Sequence, residues 1–112
     1  MRRLIGATRN SLSGLLEVAR SEAAFRQELV VAVVLVPVGL WLGATGLERA
    51  LLVASVLLVL VVELLNSAIE TTVDRVSLEI HPLAKRAKDI GSAAAMLALV
   101  GAGLTWLLIL TG

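Results

Sequence analysis

Four polar residues recur at helical spacing beside an apolar run: Glu63, Asn66, Glu70 and Asp74 are separated by three, four and four positions. An α-helix turns about 100° per residue, so these residues fall within a sector of roughly 80° on one face. A carboxylate inside a bilayer costs roughly 2.5–3.5 kcal/mol on insertion scales, so it normally serves a function. The alternative is that Glu63 only joins helices by hydrogen bonds.

Two further clusters of charged residues flank the apolar segments. Lys85, Lys88, Asp89 and Ser92 share one helical face at the start of the last apolar segment. The alternative for its basic residues is that they snorkel at the membrane boundary. The other cluster ends the polar N-terminal segment and contains Glu22, Arg26 and Glu28. The alternative is that these three residues are ordinary solvent-exposed charges, with an i,i+4 ion pair among them.

Carboxylates beside a lysine indicate phosphoryl transfer. Mg²⁺ takes one or two carboxylates together with substrate phosphates, and phosphoryl transfer needs mainly metal, positive charge and a positioned base. The sequence has no GxxxxGK[ST] loop and no GxGxxG, so a nucleotide site differs from those of P-loop proteins and protein kinases. It also has no cysteine, which excludes thiolate metal sites and a cysteine nucleophile.

These residues must be positioned by membrane helices. The chain has 112 residues, 58% of them hydrophobic, and its length predicts a single domain. Residues 1–28 are polar and basic with apolar residues at helical spacing, which predicts an amphipathic helix on the membrane surface; packing on protein is the alternative. Transmembrane helices are predicted over 29–47, 50–69 and 90–111, each close to the roughly 20 residues that a span needs.

The basic residues predict the orientation. Nine of the ten lie before the first span or between the second and third spans, so the positive-inside rule predicts a cytoplasmic N-terminus and a periplasmic C-terminus. Glu63 then lies inside the bilayer near its cytoplasmic side, and Glu70 lies about 10 Å further on, at the interface. A net charge of +1 gives no reason to expect nucleic-acid binding.

Three segments resemble the bacterial membrane diacylglycerol kinase family. They are VELLNSAIETTVDRV over 62–76, SEAAFRQE over 21–28 and AKDIGSAAAML over 87–97. They occur in the family's order, and the resemblance covers nearly the whole chain. The second and third segments look like the diacylglycerol branch of the family rather than the undecaprenol kinase branch.

The resemblance implies an all-α homotrimer with active sites shared between subunits. It implies ATP-dependent phosphorylation of diacylglycerol to phosphatidic acid at the cytoplasmic face of the bacterial inner membrane, with Mg²⁺ as cofactor. By the same resemblance Glu63 is the general base, and Glu22 and Glu70 hold the metal. The residues implied to contact ATP are Arg3, Asn10, Glu22, Asn66, Glu70, Asp74, Glu79, His81, Lys88 and Asp89. Asn10 stands where the diacylglycerol branch can carry tyrosine. The residues implied to line the lipid site are Arg26, Glu28, Trp41, Glu63, Ser92 and Trp106, although a membrane-interface belt explains the two tryptophans equally well.

Three other functions remain open at this point. One is undecaprenol kinase, the related branch. Another is a small proton-coupled multidrug transporter, which also depends on an intramembrane glutamate but needs four spans where three are predicted here. The last is a non-catalytic membrane scaffold.

Overall fold

A computed structural model describes residues 1–76 and 81–112, and it is all-helical over these ranges. The helices are α1 (Arg2–Ser21), α2 (Ala23–Leu42), α3 (Gly46–Val76) and α4 (Pro82–Thr111). Of these, α2, α3 and α4 are long and apolar enough to cross a membrane. The predicted all-α class and the number of candidate spans are confirmed, although the first candidate helix ends at Leu42 and not at 47.

The predicted N-terminal helix over 1–28 is divided in the structure. The backbone at Glu22 is extended, with φ −123° and ψ 112°, so α1 ends at Ser21 and residues 23–28 form the first turns of α2. The Arg26 guanidinium donates hydrogen bonds of 2.9 Å to the carbonyl oxygens of Ala19 and Arg20. A cation there satisfies unpaired carbonyls at the end of α1 and complements the helix dipole. Arg26 therefore stabilises the helix break instead of forming the i,i+4 pair.

A tight turn joins α2 to α3. Gly43 allows the chain to reverse, because a Cβ there would lie 2.6 Å from Cγ of Arg49. The Thr45 hydroxyl accepts a hydrogen bond from the backbone N–H of Glu48, and the Glu48 carboxylate accepts one from the N–H of Ala44. These bonds satisfy amide groups that the first turn of a helix leaves unpaired, which explains why α3 begins at Gly46.

The helices α3 and α4 extend beyond the apolar segments. The polar stretch predicted between the second and third spans is helical at both ends, since α3 continues to Val76 and α4 already begins at Pro82. His81 precedes α4, and its Nδ1 accepts a hydrogen bond from the backbone N–H of Leu83. Proline is suited to the first turn of a helix because it lacks an N–H. Glu79 lies outside the described residues.

The core runs along α3, which packs against both α2 and α4. Phe25 and Leu52 are fully buried, and Ala32, Val56, Val59 and Ala95 are nearly so. Most other apolar side chains are exposed in the single chain, for example Val33 at 68% and Leu97 at 65%. Three helices cannot enclose a large core, so most of their apolar surface is left for contact with lipid or with other protein.

Candidate functional site at the polar end of the bundle

The predicted polar stripe lies on one continuous helix. All four of its residues belong to α3, whose regular geometry places them on one face. Glu63, Asn66 and Glu70 are half-buried, whereas Asp74 is exposed. The stripe therefore runs from the apolar part of the bundle into its polar end.

Asn66 connects the stripe to α4. Its Nδ2 donates a hydrogen bond of 3.2 Å to Oε1 of Glu70, one turn further along the helix. On its other side, Asn66 lies against Gly91, where an added Cβ would overlap Oδ1 of Asn66 and lie 3.1 Å from its Cγ. Oδ1 is buried and has no hydrogen-bond partner among residues 1–76 and 81–112. Because a carboxylate accepts hydrogen bonds, Glu70 determines which end of the amide points toward it.

Lys88 joins the outer end of the stripe. Its Nζ lies 2.6 Å from Oδ1 of Asp74, so an ion pair connects α4 to α3. Glu70 is also within electrostatic range of this ammonium group. The lysine therefore places a positive charge beside two carboxylates, the combination that suits a bound phosphate and its metal.

Glu22 reaches the stripe from the break between α1 and α2. The Ser67 hydroxyl donates a hydrogen bond of 2.6 Å to Oε2 of Glu22. Ser67 is 6% exposed, and it lies one turn before Glu70 on α3. A carboxylate from the α1–α2 junction is thereby held against α3, beside the edge of the polar stripe.

Glu28 reaches the inner end of the stripe. Its carboxyl group is close enough to that of Glu63 for direct interaction, and Glu22 is within electrostatic range. Oε2 of Glu28 is buried and finds no hydrogen-bond partner in the described part of the chain. Glu28 thus lies near the carboxylates of Glu22 and Glu63 at the polar end of the bundle, and Glu70 lies two turns beyond Glu63 on α3.

A groove opens between α1 and α3 on the side of Glu22 and Ser67. Its volume is about 650 Å³, and its lining includes Ser11, Leu15, Val18, Glu22, Ser67 and Thr71. This volume lies within the range of small-molecule sites, roughly 300–1,000 Å³. Within the described ranges, no group of three or more His, Asp or Glu side chains is arranged to hold a metal ion.

Several predicted site residues lie away from this cluster. Asp89 is 64% exposed and pairs with Lys85 at 2.7 Å, so it does not share the face that Lys88 presents to α3. Arg3, Asn10, Ser92 and Trp41 are exposed. Arg26 and His81 instead stabilise helix ends through the hydrogen bonds described above.

Trp106 packs into the opposite part of the bundle. Its Nε1 donates hydrogen bonds of 3.2 Å to the carbonyl oxygen of Leu52 and to the Ser55 hydroxyl. A Cβ at Gly39 would lie 3.4 Å from the indole ring. Ser55 precedes Glu63 by eight residues, which is about 12 Å of helix. Within one chain, Trp106 therefore stabilises helix packing at a distance from the polar cluster.

Two residues of the cluster did not emerge from the sequence as site residues, Ser67 and Gly91. Ser67 follows Glu63 by four positions and precedes Glu70 by three, so it lies about 20° beyond the edge of the polar stripe. A hydroxyl next to that stripe was the available signal. Gly91 gave no comparable signal, because only the crossing of α3 and α4 shows which side chain faces it.

Comparison with known proteins identifies the family of the chain. The family model described as prokaryotic diacylglycerol kinase matches residues 9–110. A diacylglycerol kinase of Pseudomonas aeruginosa is 56% identical over 112 residues, covering 100% of this chain and 91% of the relative. One from Haemophilus influenzae is 48% identical, covering 92% of this chain and 87% of its own length. One from Escherichia coli K12 is 47% identical, covering 96% of this chain and 88% of the relative.

Proposed function

The chain belongs to the prokaryotic diacylglycerol kinase family and is a lipid kinase that uses ATP, and we propose that the polar end of the bundle is where it phosphorylates diacylglycerol. The observation that carries this proposal is the polar stripe on α3, which is contacted from two other parts of the chain. Glu22 at the α1–α2 junction reaches α3 through Ser67, and Lys88 on α4 reaches the stripe through Asp74, with Glu70 within electrostatic range. Carboxylates and an ammonium group at the end of an apolar bundle suit a reaction between a water-soluble nucleotide and a membrane lipid.

Glu63 is the proposed general base. The lipid hydroxyl oxygen forms a bond to the γ-phosphorus of ATP, and the bond from that phosphorus to the β–γ bridging oxygen breaks. ADP leaves with the electron pair, and the hydroxyl proton passes to the Glu63 carboxylate. The half-buried place of Glu63 at the inner end of the stripe supports this role, because the hydroxyl of a membrane lipid approaches from the apolar side. A positioned base contributes typically 10²–10⁴-fold to a rate.

Glu22 and Glu70 are the proposed ligands of Mg²⁺. Each engages one oxygen in a hydrogen bond, Glu22 with Ser67 and Glu70 with Asn66. The second oxygen of each carboxylate remains for a cation, and two carboxylates fit Mg²⁺, which completes its shell with phosphate oxygens and water. When bound, this ion neutralises charge on the phosphates of ATP. Lys88 adds positive charge on the same side.

The other contacts with substrates follow the family resemblance. We propose that Arg3, Asn10, Glu79, His81 and Asp89 contact ATP, and that Asn66 and Asp74 help to position its phosphates. Arg26, Glu28, Ser92, Trp41 and Trp106 are proposed to line the lipid site. Since active sites in the proposed homotrimer are shared, residues that are exposed in one chain are available to a neighbour. The exposed apolar faces of α2, α3 and α4 support such an assembly as well as contact with lipid.

The proposed location is the bacterial inner membrane, with the polar end of the bundle in the cytoplasm. The helix α1 would then lie on the cytoplasmic surface of the membrane. Its Leu4, Leu12 and Leu16 side chains are more than half exposed, and no residue of α1 is buried within the chain. Apolar side chains of this kind are suited to the boundary between lipid headgroups and acyl chains.

The test is phosphate transfer from radiolabelled ATP by the purified protein in mixed micelles. Diacylglycerol and undecaprenol are offered together and separately, with and without Mg²⁺. We expect Mg²⁺-dependent labelling of diacylglycerol, with undecaprenol labelled far more slowly. Preferential labelling of undecaprenol would reassign the substrate to the other branch. Labelling of neither alcohol would contradict the proposal.

A further inference from the structure

Ser67 differs from the other hydroxyl residues of these helices in the partner of its hydroxyl group. Six Ser and Thr hydroxyls donate to the carbonyl oxygen four residues earlier in their own helix, at Thr8, Ser21, Thr71, Thr72, Thr105 and Thr111. Such bonds are local and connect nothing across the bundle. The Ser67 hydroxyl instead donates to a carboxylate that lies 45 positions earlier in the sequence.

The partner of this bond, Glu22, has a fixed backbone but a flexible side chain. Its N–H donates to the carbonyl oxygen of Val18 at 2.9 Å, and its own carbonyl oxygen accepts from the N–H of Arg26 at 3.2 Å. The Cα atom is therefore held between α1 and α2. The carboxylate itself stands at the end of three rotatable bonds, and a long side chain of this kind loses considerable rotamer freedom when it is fixed.

We propose that Ser67 is a positioning residue that orients the Glu22 carboxylate for the metal bound to ATP. This inference rests on the proposed role of Glu22 as a metal ligand. The hydroxyl holds Oε2 and leaves Oε1 of the same carboxylate for a cation. Groups that hydrogen-bond to a metal ligand fix its orientation, and their loss typically costs 10–100-fold in metal affinity.

The burial of Ser67 makes the bond effective. At 6% exposure the hydroxyl is largely protected from competing water. A donor that meets an ionised acceptor forms a stronger bond than a neutral pair does. Ser67 also lines the groove between α1 and α3, and replacing it by threonine keeps the hydroxyl donor while adding one methyl group.

The test compares Ser67→Ala with Ser67→Thr in the full-length protein. We expect Ser67→Ala to weaken binding of Mn²⁺, used as a paramagnetic probe in the presence of ATP and without lipid substrate, by roughly 10- to 100-fold. Electron paramagnetic resonance of the free ion measures this directly. The Mg²⁺ concentration that gives half-maximal turnover should rise in parallel, while turnover at saturating Mg²⁺ recovers. Ser67→Thr should keep the normal metal dependence.

Three companion variants separate the possible outcomes. Thr105→Val removes a hydroxyl that bonds only within α4 and should leave Mn²⁺ binding unchanged. Ser67→Cys keeps a similar volume with a weak donor, so it replaces Ser67→Ala if the alanine variant does not fold. Glu22→Gln tests the metal role itself, and combining it with Ser67→Ala should add no further loss, since the two residues act through one ligand.

The results that overturn the inference are distinct from those that overturn the proposed metal site. If Glu22→Gln weakens Mn²⁺ binding while Ser67→Ala does not, Glu22 remains a ligand and the positioning role of Ser67 is wrong. If neither variant changes Mn²⁺ binding, Glu22 is not a metal ligand and both proposals fail. A loss of thermal stability in Ser67→Ala with normal metal binding would show that the bond only joins the helices.

Discussion

Replacing Gly91 by alanine tests how closely α4 must approach the polar stripe. An alanine Cβ at this position would overlap Oδ1 of Asn66 and approach its Cγ to 3.1 Å. Two adjustments can relieve the overlap. Either α4 moves away from α3, which disturbs the packing along the whole helix pair, or the Asn66 amide rotates. Because only the end of one side chain moves in the second case, rotation costs less.

Rotation of the amide breaks its bond to Glu70. A hydrogen bond to a charged group contributes about 1.5–3 kcal/mol. At 1.36 kcal/mol for each factor of ten, turnover should fall roughly 10- to 150-fold if that full contribution is needed in the transition state. The same broken bond lowers the free energy of unfolding by about 1.5–3 kcal/mol, and alanine recovers up to about 1 kcal/mol of helix propensity relative to glycine. The free energy of unfolding should therefore fall by about 0.5–3 kcal/mol.

The assay combines turnover in mixed micelles with unfolding of the same samples. Gly101→Ala is the matched control, because it lies on the same helix and a Cβ there meets nothing within 4 Å among the described residues of the chain. The double variant with Asn66→Ala removes the overlapping side chain, so alanine at Gly91 should no longer destabilise it. If Gly91→Ala turned over lipid as fast as Gly101→Ala, the amide would not depend on this glycine and the reasoning would be refuted.

Three further predictions concern the base, the ammonium group and the orientation. Glu63→Gln should lower kcat by about 10²–10⁴-fold with little change in KM for ATP; normal specific activity of the folded variant would remove Glu63 as the base. Lys88→Met should raise KM for ATP roughly 10- to 100-fold, as expected for loss of a charge-assisted contact with phosphate. Its thermal stability should change little, since the pair with Asp74 is partly exposed and such pairs contribute about 0–1 kcal/mol; an unchanged KM would contradict the contact. The chain has no native cysteine, so an impermeant thiol reagent on intact cells should label Gly112→Cys and not Arg86→Cys, and the reverse pattern would invert the proposed topology.

The sequence alone was sufficient for the three long apolar helices and for the polar stripe. Both depend on local patterns: runs of about 20 apolar residues predict spans, and a spacing of three and four predicts one helical face. The stripe on α3 follows directly, because residues within one helix keep a fixed angular relation. The three motifs also predicted the family, which the comparisons confirm.

The ends of the helices were less predictable. The polar segments 70–76 and 82–89 resemble a loop by composition, yet they are helical in the structure. Hydropathy shows where a chain can leave the membrane, and a helix can continue past that point. The break at Glu22 could not be predicted from the sequence for a related reason. Its extended backbone depends on the bond from Arg26 to the end of α1, which only the paired helices show.

The contacts between helices were decided by the tertiary structure alone. Lys85 and Lys88 lie on nearly the same face of α4, about 60° apart, and the rotation of that helix determines that Lys88 meets Asp74. The crossing of α3 and α4 likewise sets Gly91 against Asn66, whereas the Lys85–Asp89 pair is an i,i+4 contact within α4. Periodicity within a segment fixes angles inside one helix. It contains no information on how two helices are rotated and shifted relative to each other, because that depends on the packing of both surfaces at once.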